Sequence, residues 1–409
     1  MTLREGGLVG NSATIESHSK RWLMLLVLFL ARMSLAYQFQ TIGAIGPILV
    51  DEFRIDFTWL GTLIGLYMLP GMVFAIPSGL IGQKFGAKRI VLLGLTLMAI
   101  GGLMTGSHVF EITFAGRLIS GIGGVMMNVI MTKMVADWFA QREIVVAMSI
   151  LVSSWPLGLA LGLITFPVIA GLGAWPPVMY TAVAVILVSL VLVALLYRNP
   201  PDVPALLDGR FQIALSGREW LLVLITGFVW GTYNVAFIVF ISFLPELLTA
   251  RGYSLTEAGR IVSLLGWGLI IVVPIAGLVA QRLGRLDLLM ASSLIITGLA
   301  GAVLPFTFGG PFVAAFIVVS VVAGVPAGPI LSLPAEALSA ENRAVGMGVF
   351  FTCFYVSMAI MPAMAGWVRD LFASPAAPVL FAAAMLGLSA IGLAAFRLAQ
   401  RRTMQLKPA

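Results

Sequence analysis

Charge is what this chain has least of. Asp, Glu, Lys and Arg together make up 10% of its 409 residues, where a water-soluble protein carries about 25% to cover its surface. The outside of the molecule must therefore be apolar too, and its solvent is lipid. Cysteine is almost absent. Cys353 is the only one, so no intrachain disulfide can form, and with only His18 and His108 available no Cys/His metal cluster can be built. A Ser-His-acid catalytic set fails for the same reason, since His18 lies in an N-terminal polar stretch and His108 in a loop. No phosphate-cradling loop ending in Lys-Ser/Thr occurs, and no extramembrane stretch is long enough for a nucleotide-binding domain. These absences argue against an enzyme, a cofactor or metal, and drive by ATP. The net charge of +7 does not imply nucleic acid, because no basic run exceeds two residues.

What the chain does have is apolar length. Hydrophobic residues make up 60% of it, with 44 glycines and 20 methionines, a composition suited to tightly packed membrane helices. A span needs about 20 mainly apolar residues to cross about 30 Å of hydrocarbon. Twelve such stretches are predicted: 21–50, 57–81, 87–107, 109–138, 143–171, 174–197, 219–249, 255–281, 285–307, 311–337, 342–368 and 376–398. Residues 1–20 form a polar tail, expected to be disordered, and 399–409 a second tail. The longest polar connection, 198–218, divides an N-terminal six-helix bundle (21–197) from a C-terminal one (219–398).

An even number of spans puts both termini on one side, and the basic residues say which. With the termini inside, seventeen Lys/Arg fall in cytoplasmic segments and four outside: Arg54, Arg251, Arg260 and Arg369. That bias predicts cytoplasmic termini.

A repeat supports the division. Gly79, Gln83, Lys84 and Gly86 recur 198 residues later as Gly277, Gln281, Arg282 and Gly284. Asp137, Val146 and Met148 recur 199 residues later as Glu336, Val345 and Met347. Two registers agreeing within one residue point to duplicated halves, the parallel repeat of one class of secondary transporter.

The loop over 79–89 resembles the signature between helices two and three of the major facilitator superfamily, and the resemblance runs from about residue 21 to the C-terminus. It implies an all-α polytopic membrane protein with twelve transmembrane helices in two pseudo-symmetric six-helix bundles, gated by charged loops. The family's usual acid is replaced by Gln83 and, in the second copy, Gln281, which cannot form the family's charge relay. Asp137 and Glu336 are the candidates for the acidic role, opposite Lys88, Arg89 or Arg343; Lys84, Arg142, Arg282 and Arg285 complete the expected gating set. Within the family, Met131 to Phe139 followed by Ser154-Trp155-Pro156-Leu157-Gly158 is similar to the cyanate permease branch, which includes transporters of cyanate and nitroimidazole.

Two cations fall inside predicted spans. Arg32 lies near the middle of the first and Arg117 two turns into the fourth. Buried charge in a membrane is a functional candidate by default. Arg117, Gly121, Gly124 and Asn128 share one helix face, while Arg32 shares one with Ala36, Phe39 and Gly43. Two guanidinium groups would bind an anion by bidentate hydrogen bonds. For Arg117 the competing reading is structural, with its donors bound to carbonyls of a neighbouring span. Lys133, near the end of its span, reads as snorkelling to the interface. No Asp or Glu lies mid-span, as an exporter relying on a titrating membrane carboxylate would need. Tyr37, Gln38, Trp155, Tyr233, Asn234 and Tyr355 are further candidates to shape a ligand site, and Pro156 is expected to kink its span and free a carbonyl.

The sequence thus predicts a monomeric alternating-access secondary transporter of a bacterial inner membrane, carrying a small anion such as cyanate, nitrate or a carboxylate. Two alternatives stand beside it: an efflux transporter of neutral or cationic compounds, and a transporter-like receptor or sensor.

Overall fold

The computed structural model describes residues 6–74, 77, 85–139, 143–200, 215–283, 285–339 and 342–405. Twelve of its helices are long and apolar enough to cross a membrane. In chain order these are α1 Gly6–Phe39, α2 Phe57–Phe74, α3 Ala87–Thr105, α4 Phe110–Phe139, α5 Ile144–Ala170 and α6 Pro176–Leu196. The second half continues with α7 Gly217–Thr249, α8 Leu255–Leu283, α9 Leu286–Val303, α10 Gly309–Ala337, α11 Arg343–Phe372 and α12 Ala376–Gln405. Each half forms a six-helix bundle, and the even count brings both termini to one face.

Three predicted boundaries change: α12 runs on to Gln405, past the predicted end at 398, and α1 differs at both ends. The stretch expected as a disordered tail is helical from Gly6 on, because nothing before residue 21 breaks a helix that the span behind it nucleates. At its other end α1 stops at Phe39 instead of running to 50. Short helices Thr41–Ala44 and Gly46–Phe53 follow at changed angles. Pro47 accounts for the second of these breaks: it has no N–H for the Gly43 carbonyl and opens the Gly46–Phe53 helix in its first turn. Two other spans are also interrupted, α2 by a turn at Tyr67–Pro70 and α10 by one at Ala323–Pro326. Both turns end on a proline.

The bundles meet along three seams. On α2 and α11, glycines replace side chains where the backbones touch. A Cβ added to Gly61 would lie 2.9 Å from the Ala363 Cα, one on Gly65 2.9 Å from the Ala359 carbonyl carbon, and one on Gly366 2.8 Å from the Thr58 nitrogen. Between α5 and α8, a Cβ on Gly266 would sit 2.8 Å from the Pro156 oxygen. At the third seam, a Cβ on Gly43 would lie 2.6 Å from Ser242 Oγ of α7.

The face opposite the termini is also closed by charge. Asp370, at the end of α11, accepts hydrogen bonds from the backbone N–H of Phe57 (3.0 Å) and Thr58 (2.8 Å) and from the Thr58 hydroxyl (2.7 Å). It thereby caps the exposed N–H groups at the start of α2, in the other bundle. Its neighbour Arg369 stacks over the Phe57 ring at 4.1 Å and pairs with Glu246 of α7 at 2.8 Å. At the termini face, by contrast, the ion pairs Arg21–Glu143 and Arg397–Asp287 each join elements of a single bundle, and Lys133–Asp137 lies within α4.

Candidate functional site

Between the bundles, near mid-depth, lies a cavity of about 100 Å³. Its polar corner is built by Arg32 of α1, Asn128 of α4 and Tyr355 of α11, and Asn234 of α7 also faces it. Trp155, Tyr67, Phe354, Leu35, Met68 and Val125 supply apolar walls, with Gly124 among them. Arg32 is the only charged side chain among the described residues that line it.

The orientation of Arg32 follows from a missing donor. Pro156 has no N–H, so the Val152 carbonyl of α5 loses its helical partner. Arg32 Nη1 takes that carbonyl at 3.2 Å and the Leu151 carbonyl at 2.8 Å. Nε donates to Asn128 Oδ1 at 2.8 Å. Nη2 donates to no protein group among the described residues, and its two N–H bonds are free for a ligand. Among the described residues no carboxylate pairs with the charge. A cation held at mid-membrane without a counter-ion is costly unless something else neutralises it. Tyr355 comes to the same corner from α11, so both bundles line it.

Arg117 does something else. It is 1% exposed, and its donors are spent on backbone: Nε on the Leu63 carbonyl at 3.0 Å, Nη1 on Gln38 and Nη2 on Phe39, each at 3.3 Å. Its guanidinium also lies 4.6 Å from the Tyr67 ring centroid. Gln38 and Phe39 end α1, and Leu63 stands one turn before the break in α2. Carbonyls there lack helical partners, and a cation suits a helix C-terminus. Arg117 therefore caps two helix breaks, and the expected two-arginine clamp is not formed.

The remaining predicted ligand residues divide in the same way. Asn128, Trp155, Asn234 and Tyr355 line the cavity. Gln38 is buried behind it, bonded to the Met98 carbonyl, to Ser120 and, through its oxygen, to the Tyr67 hydroxyl. Tyr37 bonds Thr165 at 2.7 Å and packs on Phe166. Tyr233 donates to the Ala323 carbonyl at 2.8 Å, filling an acceptor at the break in α10. Tyr67, Met68 and Phe354 were not anticipated. Pro70-Gly71 directly after Tyr67 and Met68 was the available signal, since a proline break in a span turns nearby side chains toward the gap.

A model of the Major Facilitator Superfamily matches residues 25–244 and 220–409, one match for each half. The chain belongs to the major facilitator superfamily. A probable sulfoacetate transporter of Cupriavidus necator is 24% identical over 389 residues, covering 86% of this chain and 87% of that one. An uncharacterised transporter of Bacillus subtilis is 23% identical and covers 93% and 96%. A human choline/ethanolamine transporter is 27% identical over 161 residues; that match takes in 38% of this chain and 31% of the length of the human protein. Among solved structures, the nucleoside transporter NupG superposes with a TM-score of 0.73 at 14% identity, covering 93% of this chain and 99% of that one. A bacterial homologue of the lysosomal transporter Spinster gives 0.70 at 16%, covering 94% and 98%. Both likenesses show the fold.

In this facilitator the residues expected to gate have other partners. Lys133 holds Asp137 at 2.6 Å instead of only snorkelling. Glu336 pairs with Arg397. Lys88 caps the end of α6 through the Ala194 and Tyr197 carbonyls, each at 2.8 Å. Arg89 and Arg285 are exposed at the termini face. Lys84 and Arg142 lie outside the described residues, as do the side chains of Arg282 and Arg343.

Proposed function

We propose that this facilitator is an alternating-access secondary transporter for a small anion, bound at Arg32. The observation that carries the reading is the lone guanidinium in the central cavity, anchored on two sides and with Nη2 unoccupied. An anion there would neutralise a charge the protein leaves unpaired, and Asn234 and Tyr355 of the other bundle would contact the same ligand. A site shared between bundles lets binding bias their relative orientation. The relative named as a probable sulfoacetate transporter, matched over most of both chains, supports a negative cargo in sign alone, since sulfoacetate carries two charges and this cavity holds one cation among the described residues. The likeness to the cyanate permease branch points the same way. We place both termini and the loops of the gating set in the cytoplasm of a bacterial cell, on the charge bias. With the opposite face sealed by Asp370 and the glycine seam, the conformation described is then inward-facing.

A second reading has one observation in its favour. Tyr67, Trp155, Phe354 and Tyr355 could box a quaternary ammonium by cation–π contact, and choline is the cargo named for a partial relative. Arg32 in the same cavity opposes it.

The test is binding and counterflow in proteoliposomes with acetate, benzoate, cyanate, sulfoacetate and choline. The parent should bind at least one of the anions, and Arg32→Ala should abolish that binding while leaving the melting temperature near the parent's. Choline binding alone, or anion binding untouched by Arg32→Ala, would overturn the anion reading.

A further inference from the structure

The chemistry of the cavity narrows the cargo further, on the reading that Arg32 binds an anion. We infer that the site takes a singly charged organic anion with an apolar body and discriminates against dianions.

The inference begins from charge balance. One guanidinium offers one positive charge, and among the described lining residues no Lys, His or second Arg shares the cavity. Arg117, the cation buried on α4, has all three nitrogens committed to carbonyls and lines a separate pocket with Gln38 and Thr105. It cannot serve a second anionic group without releasing the ends of two helices. A dianion entering the cavity would therefore bring one charge to Arg32 and leave the other against Leu35, Val125 and Phe354. An unpaired charge in such surroundings is far costlier than an unpaired neutral dipole.

Polarity is distributed to match. The polar groups gather at one corner, where Arg32 is bonded to Asn128 and Tyr355 lines the same cavity, and the aromatic and aliphatic side chains form the remaining walls. A carboxylate or sulfonate at the corner would receive the free Nη2 N–H bonds. An aryl or short alkyl body would meet the rings and methyls. The geometry accepts a headgroup and a tail, not two headgroups.

The experiment compares matched pairs at neutral pH on the purified full chain: benzoate against phthalate, and butanoate against succinate. Each is measured by competition and by counterflow in proteoliposomes. The monoanion of each pair should bind about tenfold more tightly or better than its dianion. Arg32→Ala should remove binding of both. A second variant, Asn234→Arg, adds a cation on the opposite wall and should narrow or invert the preference in favour of the dianion. If phthalate and succinate bind the parent as tightly as benzoate and butanoate, and Arg32→Ala still abolishes all four, the monoanion inference falls while the anion site stands. If Arg32→Ala leaves binding unchanged, the anion reading falls and this inference with it; if none of the four binds while cyanate, acetate or sulfoacetate does, this inference falls and the anion site stands.

Discussion

Gly366→Ala should push this transporter out of the sealed conformation without unfolding it. A Cβ at residue 366 would lie 2.8 Å from the Thr58 nitrogen and closer still to the Phe57 carbonyl. Ordinary contact begins at 3.4 Å, and the nearest atom, the Phe57 oxygen, sets the shift, so α2 and α11 must separate by well over an ångström where they now touch. The obstructing atoms are backbone, and no flexible side chain can move aside to relieve them. Overpacking of this kind costs about 1–3 kcal/mol. That cost is charged only to the state in which the two helices are in contact. At about 1.4 kcal/mol per factor of ten, the equilibrium between sealed and open forms should move between several-fold and a hundredfold. The assay is a spin-label distance between Leu172→Cys and Phe306→Cys, on a Cys353→Ala background. Both sites are well exposed, at 85% and 69%, on the sealed face but in different bundles. The distance distribution should gain a longer component in Gly366→Ala. An unchanged distribution together with a lowered melting temperature would refute the reasoning, because the strain would then be absorbed within the bundles.

Asp370→Asn removes the carboxylate that caps α2 across the same seam and should lengthen the same distance. Asp56→Ala, which removes a cap that α2 makes to itself through Trp59 N at 2.9 Å, should lower the melting temperature and leave the distance alone. Pro156→Ala returns a donor to the Val152 carbonyl and takes an acceptor from Arg32. Anion affinity should fall about threefold to tenfold with no drop in melting temperature, measured by titration and thermal unfolding. Arg117→Met should cost about 2–4 kcal/mol, read as a large drop in melting temperature, since it takes the guanidinium donors from the carbonyls of Leu63 and Phe39 and leaves Gln38 only the Thr41 hydroxyl. Glu52 lies 2.6 Å from His108 Nδ1 on the sealed face, and that hydrogen bond holds its carboxyl below the usual range. A depressed carboxyl stabilises the fold above its ordinary value and stops doing so as pH falls through the lowered one. The thermal-stability gap between the parent and Glu52→Gln should therefore be present at neutral pH and close on acidification.

The sequence carried the architecture because the requirement behind it is local. A span needs only length and apolarity, and both are visible in any window of twenty residues. It also carried Arg32 and Pro156, since a charge and a missing donor in the middle of a span are anomalies wherever they point. What it could not carry was direction across a gap. Arg117 and Arg32 look alike in a window. One faces three orphan carbonyls and the other an open cavity, and only the breaks at Gln40 and Tyr67–Pro70 decide between them. The glycines at 61, 65 and 366 were equally opaque, because close packing against another helix leaves no periodic signature of its own. Asp137 and Glu336 were rightly placed at helix ends, but their partners Lys133 and Arg397 are chosen by rotation about each helix axis.

Pro156 joins two otherwise separate aspects of the molecule. Its missing N–H makes α5 a receptor for the arginine that faces the cavity, while its own carbonyl rests against Gly266 of the other bundle. The sliding surface between the bundles and the anchor of the ligand-facing charge are thus neighbours on one peptide. A tilt of α8 against α5 has only a single residue to cross before it is felt at the guanidinium. Transmission from cargo to hinge would then need no long relay through the bundle: the lever arm is one proline long.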